Sequence, residues 1–203
     1  MSKAGKDEQV GETGPGVREQ LIAAAATHFS AYGYAKTTLA DLARAIGFSK
    51  TYFYRFFKSK QEIGEAICNQ ALGSILLAVE REIAAAPTAP RKLRAMLKVI
   101  PEMGSNLFFQ DRKLFDIAEV SAAENWSSSR DYCGRLEVLV QDILREGRLA
   151  GDFERKTPLD ETVRAILQAM QPFIDPRMLQ HSLDLVPDGS NEVIAMILRS
   201  LAP

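Results

Sequence analysis

The chain has 203 residues and a mass of 22.4 kDa, enough for one medium domain or two small ones sharing a core, which excludes a single small stapled module. A hydrophobic share of 46% and a charged share of 25% are those of ordinary globular chains and exclude wholesale disorder and collagen-like repetition. The formal net charge of -1 hides an asymmetry: residues 16–60 carry seven basic residues (Arg18, Lys36, Arg44, Lys50, Arg55, Lys58, Lys60) against two acidic ones (Glu19, Asp41), a local +5 that leaves -6 for the remainder. A basic quarter on an acidic body points to an anion such as a phosphate backbone, with a chance cluster on a solvated face as the alternative.

Residues 1–15 are polar, charged and glycine-containing, and are expected to form a disordered arm. From Val17 the pattern is helical, with Leu21, Ala25, His28, Phe29 and Tyr32 on one face and Gly33 as a stop. Thr38 opens the next helix, its hydroxyl placed to cap the amide of Asp41, with Leu39, Leu42, Ala43 and Ile46 as the buried stripe and Gly47 as the end. Ser49 opens a third, expected to bury Phe53, Phe56 and Phe57 and to stop near Lys58. Ser59-Lys60-Gln61-Glu62 then reads as a capping box starting a long helix that Pro87 and Pro90 end. A further stripe runs through Tyr132, Cys133, Leu136, Leu139, Val140, Ile143 and Leu144, with Gly147 and Gly151 as terminators. Residues 159–171 and 191–201 make two more helices, separated by a segment with Pro172, Pro176 and Pro187. No alternating strand pattern occurs, so the fold class is all-α.

Two short helices joined by a tight glycine-containing turn, residues 38–46 and 49–58, have the size and spacing of a helix-turn-helix. With Phe53 facing inward, a 100° step places Phe56 and Phe57 on the same side and Thr51 and Arg55 opposite, flanked by Tyr52, Tyr54 and Lys58. Arginine can fork onto guanine, threonine can reach a base edge or a thymine methyl, and tyrosyl and lysyl groups can hold phosphates. Ser49 and Lys50 stand where the helix N-terminal amides favour an anion. Core packing is the alternative for Tyr52 and Tyr54, since nine of the sixteen aromatic residues fall between residues 29 and 57.

The run AYGYAKTTLADLARAIGFSKTYFYRFFKSKQEI, residues 31–63, resembles the DNA-binding domain of TetR-type transcriptional regulators. The landmarks are Tyr32-Gly33, Thr37-Thr38, Leu42-Ala43, Gly47, Ser49, Tyr54, Phe57, Ser59-Lys60 and Glu62, in register and without a gap. Two positions depart from the pattern: Thr51 stands where a small residue or glycine is common, and Phe53 where an aliphatic residue is usual. REGRLAGDF, residues 145–153, is similar to a turn in the regulatory domain of the same family. The resemblance implies that Tyr54 and Lys60 contact the phosphate backbone, that Thr38 brings the first motif helix to it, and that Lys50, Thr51, Tyr52 and Arg55 lie on the base-reading helix.

The rest of the chain offers little chemistry. His28 and His181 are far apart, and Cys68 and Cys133 fall on apolar helical faces and make no disulfide framework. No nucleophile elbow, P-loop or HExxH motif is present, so neither an enzyme nor a cofactor is expected. The central region mixes Met96, Met103, Phe108, Phe109, Phe115 and Trp126 with polar residues, the composition of a small-molecule site or of a packed core. Phe109, Phe115 and Trp126 are the expected walls of a ligand site, with Arg112, Glu119 or Asn125 orienting the ligand.

The longest stretch without Asp, Glu, Lys or Arg is residues 21–35, short of the roughly 20 apolar residues a membrane helix needs. With no apolar segment behind MSKAGKDEQV, a cytoplasmic protein with no membrane partner is expected. The organisation expected is an arm (1–15), a three-helix helix-turn-helix domain (16–60) and a larger helical ligand-binding and dimerisation domain (61–203). The expected protein is a homodimeric repressor, released from an inverted-repeat duplex DNA operator by an apolar small molecule of unknown identity. A helical ligand-binding protein without operator recognition is the competing reading.

Overall fold

A computed structural model describes residues 15–203, and the described residues contain helices and no strand. The expected arm, residues 1–15, lies outside the described residues except for Pro15, which opens the first helix, α1 (Pro15–Tyr32).

Helix α1 buries Leu21, Ile22, Ala25 and Phe29. Leu21, Ala25 and Phe29 hold the expected stripe, whereas His28 is only half-buried and Tyr32 is 65% exposed, their rings packed together at 4.5 Å. A single 100° step separates His28 from Phe29, so the turn that seats Phe29 carries His28 to the margin. In α2 (Leu39–Ile46) Thr38 and Asp41 form a reciprocal capping box, and Gly47 closes the helix at a φ of 81° that favours glycine. Its N–H and that of Phe48 satisfy the last carbonyls, at Arg44 and Ala43.

The third element is shorter than the sequence predicts. Helix α3 runs only from Lys50 to Phe53, with the Ser49 hydroxyl accepting from the Tyr52 amide at 3.2 Å. Beyond it, Arg55 and Phe56 donate to carbonyls three residues back, so the chain tightens into turns. The tightening seats both Phe53 and Phe57 in the core, 5.6 Å apart, and leaves Phe56 half-buried against Tyr52 rather than fully inside.

The long helix α4 (Lys60–Ala85) is capped by the Ser59 hydroxyl, which accepts from the Glu62 amide; the Glu62 carboxylate takes the Lys58 amide rather than that of Ser59. It is followed by α5 (Ala89–Gln110), α6 (Arg112–Ala123), α7 (Ser127–Ala150), α8 (Leu159–Ile174), a one-turn α9 (Pro176–Leu179), a single 3-10 turn (Leu183–Leu185) and α10 (Asp188–Ser200). Pro90 lies in the first turn of α5, where proline suits the open amides, instead of ending α4. Gly147 is likewise no terminator: it is buried inside α7, and Gly151, at a φ of 83°, is the residue that stops the helix.

Two cores share α4 as their spine. Ile63, Ile67 and Cys68 join the cluster built on Leu21, Phe29, Leu42, Phe53 and Phe57, while Ile75 and Val79 join the larger cluster of α5, α7, α8 and α10. The N-terminal cluster is closed by Ile117 of α6 and by Trp126, so its core extends past the helix-turn-helix into the second half of the chain. Ile166, Met170, Ile194, Ile197 and Leu201 are buried within their own chain, not held out for a partner. Cys133, expected on an apolar face, is exposed.

Candidate nucleic-acid interface and inner cavity

The short α3 presents its charged side outward because Phe53 and Phe57 anchor the other. Lys50, Thr51 and Arg55 are exposed, and Tyr54 is 43% exposed. The cations lie over rings: Lys50 Nζ is 5.8 Å from the Tyr54 centroid and the Arg55 guanidinium 5.8 Å from that of Tyr52. Tyr52 is half-buried, stacked on Phe48 at 5.0 Å and edged by Phe56 at 5.3 Å, so packing fixes its ring at the margin of the face. Among the described residues no carboxylate lies within salt-bridge distance of Lys50, Arg55 or Lys58. Cations left without internal partners suit an external polyanion.

Two of the expected contact hydroxyls are already engaged. Thr38 Oγ1 donates to the Asp41 carboxylate at 2.7 Å and accepts from the Asp41 amide; that donation, joined by one from the Thr38 amide at 3.1 Å, holds the Asp41 carboxyl below the usual carboxylate range. The Ser49 hydroxyl caps α3. Lys60 is half-buried, donating from Nζ to the Tyr34 carbonyl at 3.0 Å and lying 4.3 Å from the centre of the Tyr34 ring. An ammonium has three donors, so one committed N–H leaves two.

Behind this face, α4 leads to a cavity of about 470 Å³ bounded by α4 to α9. Leu72, Ile75, Ile100, Leu107, Phe115 and Leu179 make apolar wall, and Arg130, Cys133, Glu137, Asp175 and Arg177 bring polar groups to it. Gly104 permits the closure, since a Cβ there would stand 2.7 Å from Leu179. Asp175 caps α9 and accepts from Arg177 Nε at 2.9 Å, which keeps its carboxyl low.

Of the six residues expected at a ligand site, Phe115 and Asn125 line the cavity. Phe109 is 72% exposed on the far side of Phe108. Arg112 lies over the Phe108 and Phe115 rings at 4.6 and 5.4 Å, pairs with Asp116 and with Glu119, and donates to Gln180 at 3.0 Å. Glu119 is thereby tied to α6 itself, its second oxygen buried without a partner. Trp126 is buried in the N-terminal core. Sequence reasoning missed Arg130, Glu137, Asp175 and Arg177. Arg130 and Glu137 are charged residues of α7 that look like solvent face in sequence, and the packing of α8 and α9 brings them to the cavity beside Cys133.

The family model for bacterial regulatory proteins of the tetR family matches residues 21–67, and that for the tetracyclin repressor-like C-terminal domain matches residues 89–186. No curated protein matches the chain by sequence. In solved structures the chain is similar to the FadR regulator of Bacillus subtilis in complex with stearoyl-CoA, with 20% identity over 90% of this chain and 98% of that one and a TM-score of 0.67. It is similar to the fatty acid degradation regulator FadR of Bacillus halodurans at 17% identity, over 93% and 95% of the two chains, with a TM-score of 0.64. The TetR family regulator PfmR of Thermus thermophilus is 27% identical over 91% of this chain and 100% of its own, with a TM-score of 0.57.

Proposed function

Because this chain belongs to the TetR family of bacterial regulatory proteins, we propose that it is a homodimeric repressor that reads an inverted-repeat operator and leaves it when an apolar small molecule fills the inner cavity. The observation that carries the reading is one helix serving two sites: α4 begins at Lys60, directly after the cationic stretch that holds Lys50, Arg55 and Lys58, and its later residues Leu72 and Ile75 wall the cavity. On this reading Lys50, Thr51, Tyr52 and Arg55 lie on the base-reading helix, Tyr54 and Lys60 hold phosphates, and Thr38 and Ser49 bring the N-termini of α2 and α3 toward the backbone.

A lone helix-turn-helix buries too little surface for operator-level affinity, and two related by a dyad read half-sites about 34–36 Å apart or a multiple of that. The second copy is supplied at α8 and α10, whose outward side carries Ala165, Ala169 and Met196, the last 54% exposed. A regulator of similar fold was solved with stearoyl-CoA, which supports an effector with a large apolar body. A hundredfold loss of DNA affinity needs about 2.7 kcal/mol of differential binding between conformers, within the usual range of coupling energies.

The test is to sequence the genomic fragments that the purified protein retains. An inverted repeat is expected, with Arg55→Ala relaxing base preference at one position per half-site and Lys60→Ala weakening all sequences alike. Retention without any shared sequence would reject operator reading.

A further inference from the structure

The loop of residues 124–126, between α6 and α7, belongs both to the cavity and to the N-terminal core. Asn125 lines the cavity and holds a φ of 54°, a left-handed conformation that asparagine adopts more readily than most residues. The next residue, Trp126, is packed into the N-terminal core, 3% exposed. Its Nε1 donates to Glu124 at 2.8 Å, which fixes the rotation of the indole. The ring lies on the backbone of α4: a Cβ added to Gly64 would stand 2.9 Å from the Trp126 ring and 3.0 Å from the Tyr34 ring. Glycine at that position therefore lets both rings reach the helix, and they meet edge to face at 5.8 Å.

Lys60 completes the set. Its Nζ lies 4.3 Å from the centre of the Tyr34 ring and donates to the Tyr34 carbonyl. A free lysine loses rotamer freedom when it orders on a phosphate, and one already held loses less. Tyr34 lies in the link between α1 and α2 and is buried chiefly by Phe29, Gly64 and Trp126. The indole meets the Tyr34 ring edge to face from the loop that leads into α7.

We propose that Trp126 is a positioning residue for DNA binding: by wedging Tyr34 against Gly64 it holds Lys60 in place for the phosphate backbone. The proposal rests on the assignment of Lys60 as a phosphate contact in a DNA-binding regulator. It assigns Trp126, expected as a wall of the ligand site, a role on the opposite side of its loop.

The experiment measures affinity for a duplex fragment that the wild-type protein retains, across a salt series, with helicity checked by circular dichroism. Lys60→Met should flatten the dependence of log K on log salt by about 0.9 for each protomer in the complex. Trp126→Leu should flatten it by the same amount, the double variant should flatten it no further, and Trp126→Phe, which keeps an aromatic wedge, should retain the wild-type slope. Simple destabilisation lowers the active fraction and leaves the slope alone. Where Trp126→Leu does not fold, Gly64→Ala displaces the indole instead and should give the same loss. A folded Trp126→Leu protein with the wild-type slope, or one that loses slope again in the Lys60→Met background, overturns the proposal. An unchanged slope in Lys60→Met overturns the phosphate assignment beneath it, and failure of the wild-type protein to retain any duplex overturns the DNA-binding reading itself.

Discussion

Gly147 sits in mid-helix because a neighbouring ring occupies the place of its missing side chain. A Cβ there would fall 2.1 and 2.5 Å from two atoms of Phe153 and 2.9 Å from Ala89, and Phe153 is itself buried. Gly73 is the internal contrast, lying within α4 with nothing inside 4 Å of the place a Cβ would take. Alanine is the better helix former by about 1 kcal/mol, so Gly73→Ala should stabilise the protein by about 0.5–1 kcal/mol. Gly147→Ala should destabilise it by about 1–3 kcal/mol through overpacking. Urea unfolding of the two variants checks both signs; equal stabilisation would show that Phe153 moves aside freely. The cysteines divide in the same way: burial pushes the Cys68 thiol up to about 12, so it stays neutral and acts as a small hydrophobe.

At the scale of elements, α8 and α10 each divide into an inward and an outward side. Their inward residues Ile166, Met170, Ile194 and Ile197 complete the chain's own core, so charges at Ile194 and Ile197 would unfold the protomer instead of separating a dimer. The outward side of the pair carries Ala165, Gln168, Ala169 and Met196, small or flexible groups that let a second pair of helices approach closely. Ala165→Glu together with Met196→Glu should yield a folded monomer by light scattering, with unchanged helicity and much weaker duplex retention. A dimer that persists would place the interface elsewhere.

At the scale of the whole molecule, Glu65 ties the first turns of α4 to the start of α7, more than sixty residues later. Its carboxylate accepts from the Ser127 hydroxyl, from the Ser128 amide at 3.3 Å and from Gln61 at 3.0 Å. The Ser127 bond is the main cause of a carboxyl held below its ordinary 4.5. A folded value below the unfolded one adds stability that is present in full above 4.5 and is lost as the pH falls through the depressed value. Glu65→Gln should therefore lower the urea midpoint at neutral pH and flatten its fall on acidification. Asp41, Glu154 and Asp175, also held low, keep part of the acid slope in the variant. Parallel acid profiles for the two proteins would show that Glu65 is bonded equally well in the unfolded chain.

The amino-acid sequence by itself determined what is settled within a turn or two of helix. Thr38, Ser49, Ser59 and Gly151 were legible as caps because each satisfies backbone groups only a few residues away. The cationic face of residues 50–60 was legible because two steps of 100° turn Arg55 away from Phe53, and the turn beyond Phe53 keeps Arg55 exposed. Only the tertiary structure decided the length of α3, which ends at Phe53 while the turns beyond it still carry Phe57 into the core. It also decided the cavity, whose α7 strip and α9 charges meet only when α8 brings Asp175 and Arg177 over Cys133 and Gly134. The direction of Trp126 is the sharpest case. An aromatic residue beside a polar loop fits a ligand wall or a core equally well in sequence, and the choice fell to Gly64, more than sixty positions earlier, whose bare Cα left room for the indole. Hydrogen bonds within a turn and side-chain periodicity are local, whereas steric room between distant segments exists only once both have packed.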